Sequence, residues 1–434
     1  MAAPRNISKN IKMISKLKEV RSSLSKSKDG KTLASNFGYM MLLQIAGYLF
    51  PLITIPYLAR VIGVDGFGKI AFAAAIVLWF QTISDWGFNY TATRDVAQNR
   101  DNPEKVSEIF SNVLWARILL MFLSLIVLLA ATTFIPLLKE NQLIIMLTFL
   151  LVPGHIMFPE WFFQAVEKMK FITVFSLVSK AIFTAMVFIF ITDKEDFILQ
   201  PIFMSLGFID CGLVAMYLIV VKWGVKIQAP NWEAITTTIK NSTDVFINNL
   251  MPNLYNSFST VLLGAFGGSL STGLLDAGRK FVEISQSFLM VIAKVFFPFL
   301  SRKISAHNIY TWLHLTTAFL FFVILYSLAP FIIKVFFTPE FEPAILVLQI
   351  MSLSIIFISL SNIYGTNYMI VKGYEKSLRN ITMITSILGF FVALPLIYNF
   401  DYIGAAVTIT LTRAILGLTI AYKAMSIKKS YEKI

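Results

Sequence analysis

Residues 109–135 read IFSNVLWARILLMFLSLIVLLAATTFI, an apolar run broken by a single charge, Arg117. At 1.5 Å per residue, a helix of this length crosses the hydrocarbon core of a bilayer, which is about 30 Å thick. The run does not alternate apolar with polar residues, as a membrane β-strand of about ten residues must. It reads as a membrane-spanning helix, and the same reading extends outward along the chain. Of 434 residues, 57% are hydrophobic and only 14% charged, where soluble domains carry about 25% charged residues. With 40 Phe and a mean hydropathy of +0.72, a water-soluble monomer would expose apolar patches far larger than such proteins carry. A soluble fold is excluded.

Apolar runs of helical length recur at roughly 36–60, 69–90, 109–135, 142–164, 171–192, 200–222, 243–268, 279–300, 308–335, 343–371, 378–398 and 403–423. The expectation is an all-α polytopic membrane protein with twelve transmembrane helices. Lys and Arg in the short loops set its orientation, because cytoplasmic loops are enriched in them. With the N-terminus inside, twenty-six of the 37 basic residues fall on the inner side and seven on the outer side. Both termini are therefore expected in the cytoplasm. The net charge of +13 is mostly topogenic, which removes the main argument for nucleic-acid binding. Residues 1–35 place Ile7, Ile11, Ile14, Leu17, Val20 and Leu24 three or four apart among lysines. That is the pattern of a basic amphipathic helix on the anionic inner leaflet; a disordered basic tail that only fixes topology fits the same residues. No cleavable signal peptide is expected there. Trp79, Trp86, Trp161 and Trp223 lie near span ends and read as interfacial anchors.

The chain also reads as two related halves. Glu167-Lys168 precedes the fifth span and Glu375-Lys376 the eleventh, while Gly63 and Gly68 after the first span answer to Gly268 and Gly273 after the seventh. Six helices per half make these parallel repeats, an architecture of secondary transporters. The expected organisation is a basic cytoplasmic segment 1–35, a six-helix bundle 36–222, a cytoplasmic linker 223–242, a second six-helix bundle 243–425 and a tail 426–434.

Soluble-enzyme motifs are weak. Gly63 to Ile70 (GVDGFGKI) matches a phosphate-binding loop except at its last position, where Ile70 replaces the metal-binding hydroxyl. With no preceding strand and an outer location, it reads as a Gly-rich turn. The lone Cys211 allows no intrachain disulfide, and His155, His307 and His314 come without carboxylates at metal-ligand spacing. Neither an enzymatic activity nor a metal or organic cofactor is expected.

Charges inside a membrane are costly unless they face a cavity or a partner. On the eighth span, Lys280, Glu283, Ser287 and Lys294 fall within about 60° of one another on a helical wheel, with Arg279 beside them. The seventh span carries Asn249, Asn253, Asn256 and Thr260 on one face, next to Pro252. The second holds Gln81, Asp85 and Asn89, with Arg94 and Asp95 a turn beyond, and the first ends in Arg60. Facing polar stripes would line a hydrated cavity. Its basic surplus suits an anionic ligand, because Arg and Lys hold phosphate through charge-assisted hydrogen bonds. The competing reading is structural: pairs such as Lys280 with Glu283 hold helices together or snorkel to the interface.

Pro56 to Asp95 (PYLARVIGVDGFGKIAFAAAIVLWFQTISDWGFNYTATRD) resembles the opening signature of the bacterial O-antigen flippases. These form the polysaccharide-transporter branch of the multidrug/oligosaccharidyl-lipid/polysaccharide exporter superfamily. Pro159 to Ile172 (PEWFFQAVEKMKFI) is similar to the family's segment leading into its fifth helix, although Ala165 stands where the family often has Gly. Leu263 to Lys280 (LGAFGGSLSTGLLDAGRK) is similar to its connection between helices 7 and 8. The resemblance implies an inner-membrane carrier that moves an undecaprenyl-pyrophosphate-linked oligosaccharide from the cytoplasmic to the periplasmic leaflet by alternating access. Carried over by position, it implies Arg60, Asp85, Arg94, Glu160 and the Arg279/Lys280 pair as cavity residues; Lys294 rests on the wheel alone. The physics agrees, since each unsatisfied polar group of a sugar diphosphate costs roughly 2–7 kcal/mol in hydrocarbon. Without an ATP site, coupling to a proton or sodium gradient or to later polymerisation is expected, with a polymerase and a chain-length regulator as partners. A multidrug or lipid-II-type exporter of the same superfamily is one alternative, and a membrane polysaccharide polymerase another. A polymerase would need a long outer loop, and the longest here has about a dozen residues.

Overall fold

The computed structural model describes residues 28–302 and 304–431. Most of the basic N-terminal segment, residues 1–27, lies outside the described residues, as do Lys303 and residues 432–434 of the tail. Every regular element among the described residues is helical. The first part of the chain forms α1 (Lys28–Asp85), α2 (Phe88–Gln98), α3 (Pro103–Phe134), α4 (Gln142–Phe149), α5 (Leu151–Met157), α6 (Glu160–Ala165), α7 (Met169–Phe190) and α8 (Leu199–Tyr217). The second forms α9 (Trp232–Leu250), α10 (Ser257–Phe266), α11 (Gly268–Arg302), α12 (His307–Phe336), α13 (Ala344–Leu360) and α14 (Glu375–Tyr431). Eight helical stretches of the described residues are long and apolar enough to cross a membrane.

Two of the helices are too long to be single crossings. The 58 residues of α1 would extend about 87 Å, nearly three times the hydrocarbon core. The helix breaks at Gly63, whose φ of 66° and ψ of −176° are open to glycine and strained for other residues. Both limbs then line one cavity. The stretch GVDGFGKI is thus a turn between helical limbs, with no strand before it. In the same way α14, 57 residues long, breaks at Asp401 with φ 53° and ψ −132°.

The Gly63 turn meets its own counterpart. Gly268 also has a positive φ, 74°. A Cβ on Gly68 would strike the Ser269 carbonyl and one on Gly273 the Val64 carbonyl, so the two turns pack backbone against backbone. Ser269 Oγ donates to Asp65, and Phe67 stands edge-on to Phe337 and Phe341 at centroid distances of 6.0 and 5.8 Å. This layer closes one end of the molecule. At the other end Trp86 stacks on Phe246 of α9 at 3.9 Å, and its Nε1 donates to the Ile239 carbonyl at 3.1 Å. Thr91 and Ser242 share a hydrogen bond of 2.7 Å beside it. Between the layers α11 packs on α1, and α10 packs on both α1 and α14.

Two sequence expectations are corrected here. The turn that matches Glu167-Lys168 is Gly373-Tyr374, two residues before Glu375-Lys376. Glu167 and Gly373 both take positive φ, 58° and 80°. Lys168 N donates to Phe163 O at 2.9 Å, just as Tyr374 N donates to Met369 O at 2.8 Å. Trp161 is no interfacial anchor: it is buried against Phe110 and Phe162, in a core cluster that also holds Phe88 and Phe163. The aromatic run at 161–163 forms a short helix, α6, and supplies three adjacent rings to that cluster.

Candidate functional site

A cavity of about 640 Å³ lies between the two closed layers, within the size range of small-molecule sites. One wall comes from α1, α5, α7 and α8 and is largely apolar, with Pro51, Leu58, Ala74, Leu78 and Phe183 relieved by Thr54, Gln81, His155 and Gln200. The opposite wall is polar: Asn256, Asp276, Arg279, Lys280, Glu283 and Ser287.

Helix α11 presents its share of that wall because residues three and four apart are neighbours on a helix surface. Arg279 Nη2 lies 2.8 Å from Asp276 Oδ1, and Lys280 Nζ lies 3.1 Å from Asp276 Oδ2. Arg279 Nε is 3.1 Å from Glu283 Oε1, and Arg279 Nη1 donates to Thr260 Oγ1 of α10 at 3.1 Å. Two cations therefore face two carboxylates. The basic stripe expected on this span is neutralised along its own helix by Asp276, a residue the sequence reading passed over. Its spacing to Arg279 and Lys280 is the signal that finds it.

Asn256 belongs to the wall and is held from behind. Arg413 of α14 donates through Nη2 to Asn256 Oδ1 at 3.1 Å and through Nη1 to Ser354 Oγ at 2.9 Å. Asn256 Nδ2 donates in turn to the Pro252 carbonyl at 3.1 Å. Arg413 is buried and forms no ion pair among the described residues, unlike its neighbours on α11.

The structure gathers Asn256, Arg279, Lys280 and Glu283 at this cavity and places the other candidates elsewhere. Arg60 is exposed at the Gly63 end, with Nη2 3.4 Å from the Val335 carbonyl. Arg94 is exposed and paired with Asp95 at 2.9 Å. Asn249 is exposed, and Asn253 donates to Thr82 Oγ1 at 3.1 Å, joining the chain after α9 to α1. Lys294 is exposed and off the cavity wall.

Asp85 and Glu160 belong to a second cluster, inside the N-terminal part. Asp85 pairs with the buried Arg117 of α3. Glu160 lies where Lys180, Asp85 and Arg117 all act on it electrostatically. His155 feels the same Asp85 and Arg117 and also stands on the cavity wall, so it links this cluster to the cavity. Arg117 and Lys180 were visible as charges inside apolar runs, but no pattern on one helix connects them.

The polysaccharide biosynthesis protein family matches residues 33–304 of the chain. The chain is 29% identical over 393 residues to an Escherichia coli (strain K12) protein named "Putative O-antigen transporter", covering 88% of this chain and 94% of that one. A Shigella dysenteriae protein of the same name is 25% identical, over 89% and 98% of the two chains. Among solved structures, the fold resembles the lipid II flippase MurJ in an inward closed conformation, with a TM-score of 0.67 at 15% identity over 88% of this chain and 87% of that one. It also resembles the inward-facing conformation of a multidrug resistance MATE family transporter of the MOP superfamily, with a TM-score of 0.65 at 12% identity over 88% and 95%. The architecture is that of a polytopic membrane transporter.

Proposed function

Because the chain belongs to the polysaccharide biosynthesis protein family, we propose that it is a flippase for lipid-linked surface-polysaccharide repeat units. It carries the diphosphate-sugar headgroup of an undecaprenyl-linked O-antigen unit from the cytoplasmic to the periplasmic leaflet of the inner membrane. The observation that carries this reading is the central cavity, which lies between two contact layers and is charged along one wall. Parting the Trp86 layer opens the cavity to the cytoplasm, where the distribution of Lys and Arg puts both termini. Parting the Gly63 layer opens it to the periplasm. Rocking of two helical bundles about a fixed midplane site supplies alternating access, while the prenyl chain stays in lipid.

The protein makes and breaks no covalent bond in this scheme. Drive comes from a proton or sodium gradient, with Glu283 on the cavity wall as the carboxylate placed to exchange an ion, while Asp85 and Glu160 are held in the N-terminal cluster. Alternatively, drive comes from removal of the product by a polymerase and its chain-length regulator. The test is depletion in a strain with no second flippase. Lipid-linked repeat units should accumulate on the cytoplasmic leaflet while surface polysaccharide disappears; intact surface polysaccharide would overturn the reading. Addition of an uncoupler separates the two sources of drive.

A further inference from the structure

The charges on the α11 wall cancel: Asp276 and Glu283 against Arg279 and Lys280. A diphosphate approaching this quartet meets attraction and repulsion in near balance. The positive charge left over at the site belongs to Arg413, which lies behind the wall. Resting on the flippase reading above, we propose that Arg413 is the positioning residue that makes the central site favour a diphosphate, acting through the side-chain amide of Asn256.

Arg413 is buried and held by neutral oxygens, Ser354 Oγ, Asn256 Oδ1 and the Tyr255 hydroxyl, while Glu283 of the α11 wall acts on it electrostatically without forming an ion pair. An ionised side chain in the membrane interior, paired with no carboxylate, is costly to keep. Neutral donors could hold these oxygens without that cost. The charge is therefore the distinctive feature of this residue, and Asn256 is its route to the cavity. Because the guanidinium can only donate, it fixes the amide with the oxygen toward Arg413 and the nitrogen away from it. One amide hydrogen goes to Pro252 O, and the second is left for an acceptor in the cavity. One turn along α10, Thr260 Oγ1 accepts from Arg279. Arg413 of α14 therefore reaches the cavity through the Asn256 amide, whose remaining hydrogen is a donor suited to the oxygens of a diphosphate, while Thr260 on the same face ties Arg279 of α11 to α10. A positive charge at this site acts on the diphosphate, the part of the substrate shared by every repeat unit.

The test uses the full-length protein in proteoliposomes, reading flipping of an undecaprenyl-diphosphate-linked oligosaccharide and its inhibition by inorganic pyrophosphate. In Arg413→Gln, inhibition should need about tenfold more pyrophosphate and lose most of its salt dependence. Arg413→Lys should restore most of both, which a purely structural arginine would not allow. Asn256→Asp, which supplies Arg413 with a carboxylate, should reproduce the loss; it decides the matter if Arg413→Gln fails to fold. Folded Arg413→Gln or Asn256→Asp protein with wild-type inhibition and salt dependence would overturn the proposal. So would wild-type flipping that pyrophosphate does not inhibit, and both results leave the flippase reading standing. A wild-type protein that flips nothing would overturn both.

Discussion

The two halves treat buried charge in opposite ways. In the N-terminal half, Asp85 pairs with Arg117, and Glu160 and Lys180 lie close by, so the charges are settled among that half's own helices. In the C-terminal half, Asp276, Arg279, Lys280 and Glu283 stand on the cavity wall, and Arg413 waits behind them without a carboxylate. The turns of the halves correspond closely, Gly63 with Gly268 and Glu167 with Gly373. What is repeated is backbone geometry, which limits the shape of the bundle. What is not repeated is side-chain chemistry, which is free to turn one half into a scaffold and the other into a binding wall.

Breaking the scaffold should cost most. Arg117→Ala leaves the half-buried Asp85 carboxylate without its partner. Removal of one partner of a fully buried pair destabilises by about 3–5 kcal/mol, and the partial exposure of Asp85 sets the expected loss at or below the lower end of that range. Thermal unfolding in detergent should show it as a large fall in Tm. Replacing both partners with apolar residues, Asp85→Leu with Arg117→Met, should recover much of the loss. An unchanged Tm in the single variant would mean that the N-terminal charges are not confined as described. Next comes the shared backbone geometry. Gly68→Val inserts a side chain where Ser269 and Gly273 already touch the helix. Overpacking of this kind costs about 1–3 kcal/mol, and here it should also hold the Gly63 layer apart. A cysteine placed on the cavity wall should then react faster with a membrane-impermeant thiol reagent added from the periplasmic side. The binding wall follows: Lys280→Ala should lower flipping about tenfold, equivalent to about 1.4 kcal/mol, with protein abundance unchanged. A loss explained wholly by abundance would make Lys280 part of the scaffold and erase the contrast between the halves.

How much of this could be read in advance depends on the range of the interaction. Apolar runs and turn glycines are local, so the helical membrane fold and the correspondence of Gly63 with Gly268 were legible in the sequence. That the two turns pack on each other was not, because their contact joins residues about 200 positions apart. The Glu-Lys repeat misled by two residues. An exposed turn conserves its dihedral angles but accepts glutamate in one half and glycine in the other, so matching letters does not match positions. The wheel found the face of α11 but did not limit its extent, nor did it look back one turn to Asp276. Arg413 was beyond such methods, because its partners lie 59 and 157 residues away in sequence and no periodicity on α14 points to them.

The smallest effect is the most discriminating, because it separates angle from position. Lys294 shares the wheel sector of Lys280, yet it lies fourteen residues further along α11, about 21 Å, and is exposed. Its long side chain can reach the interface with the charge in water, at no cost that substitution would relieve. Arg60 is likewise exposed and held by one long contact with a carbonyl. Lys294→Ala and Arg60→Ala should therefore each change flipping by less than about twofold, as surface substitutions commonly shift energies by no more than about 0.5 kcal/mol. A tenfold loss in Lys294→Ala would instead require the substrate to contact α11 along its whole length. The binding wall would then reach the Trp86 end, and the charges that matter most would be those met during entry from the cytoplasm.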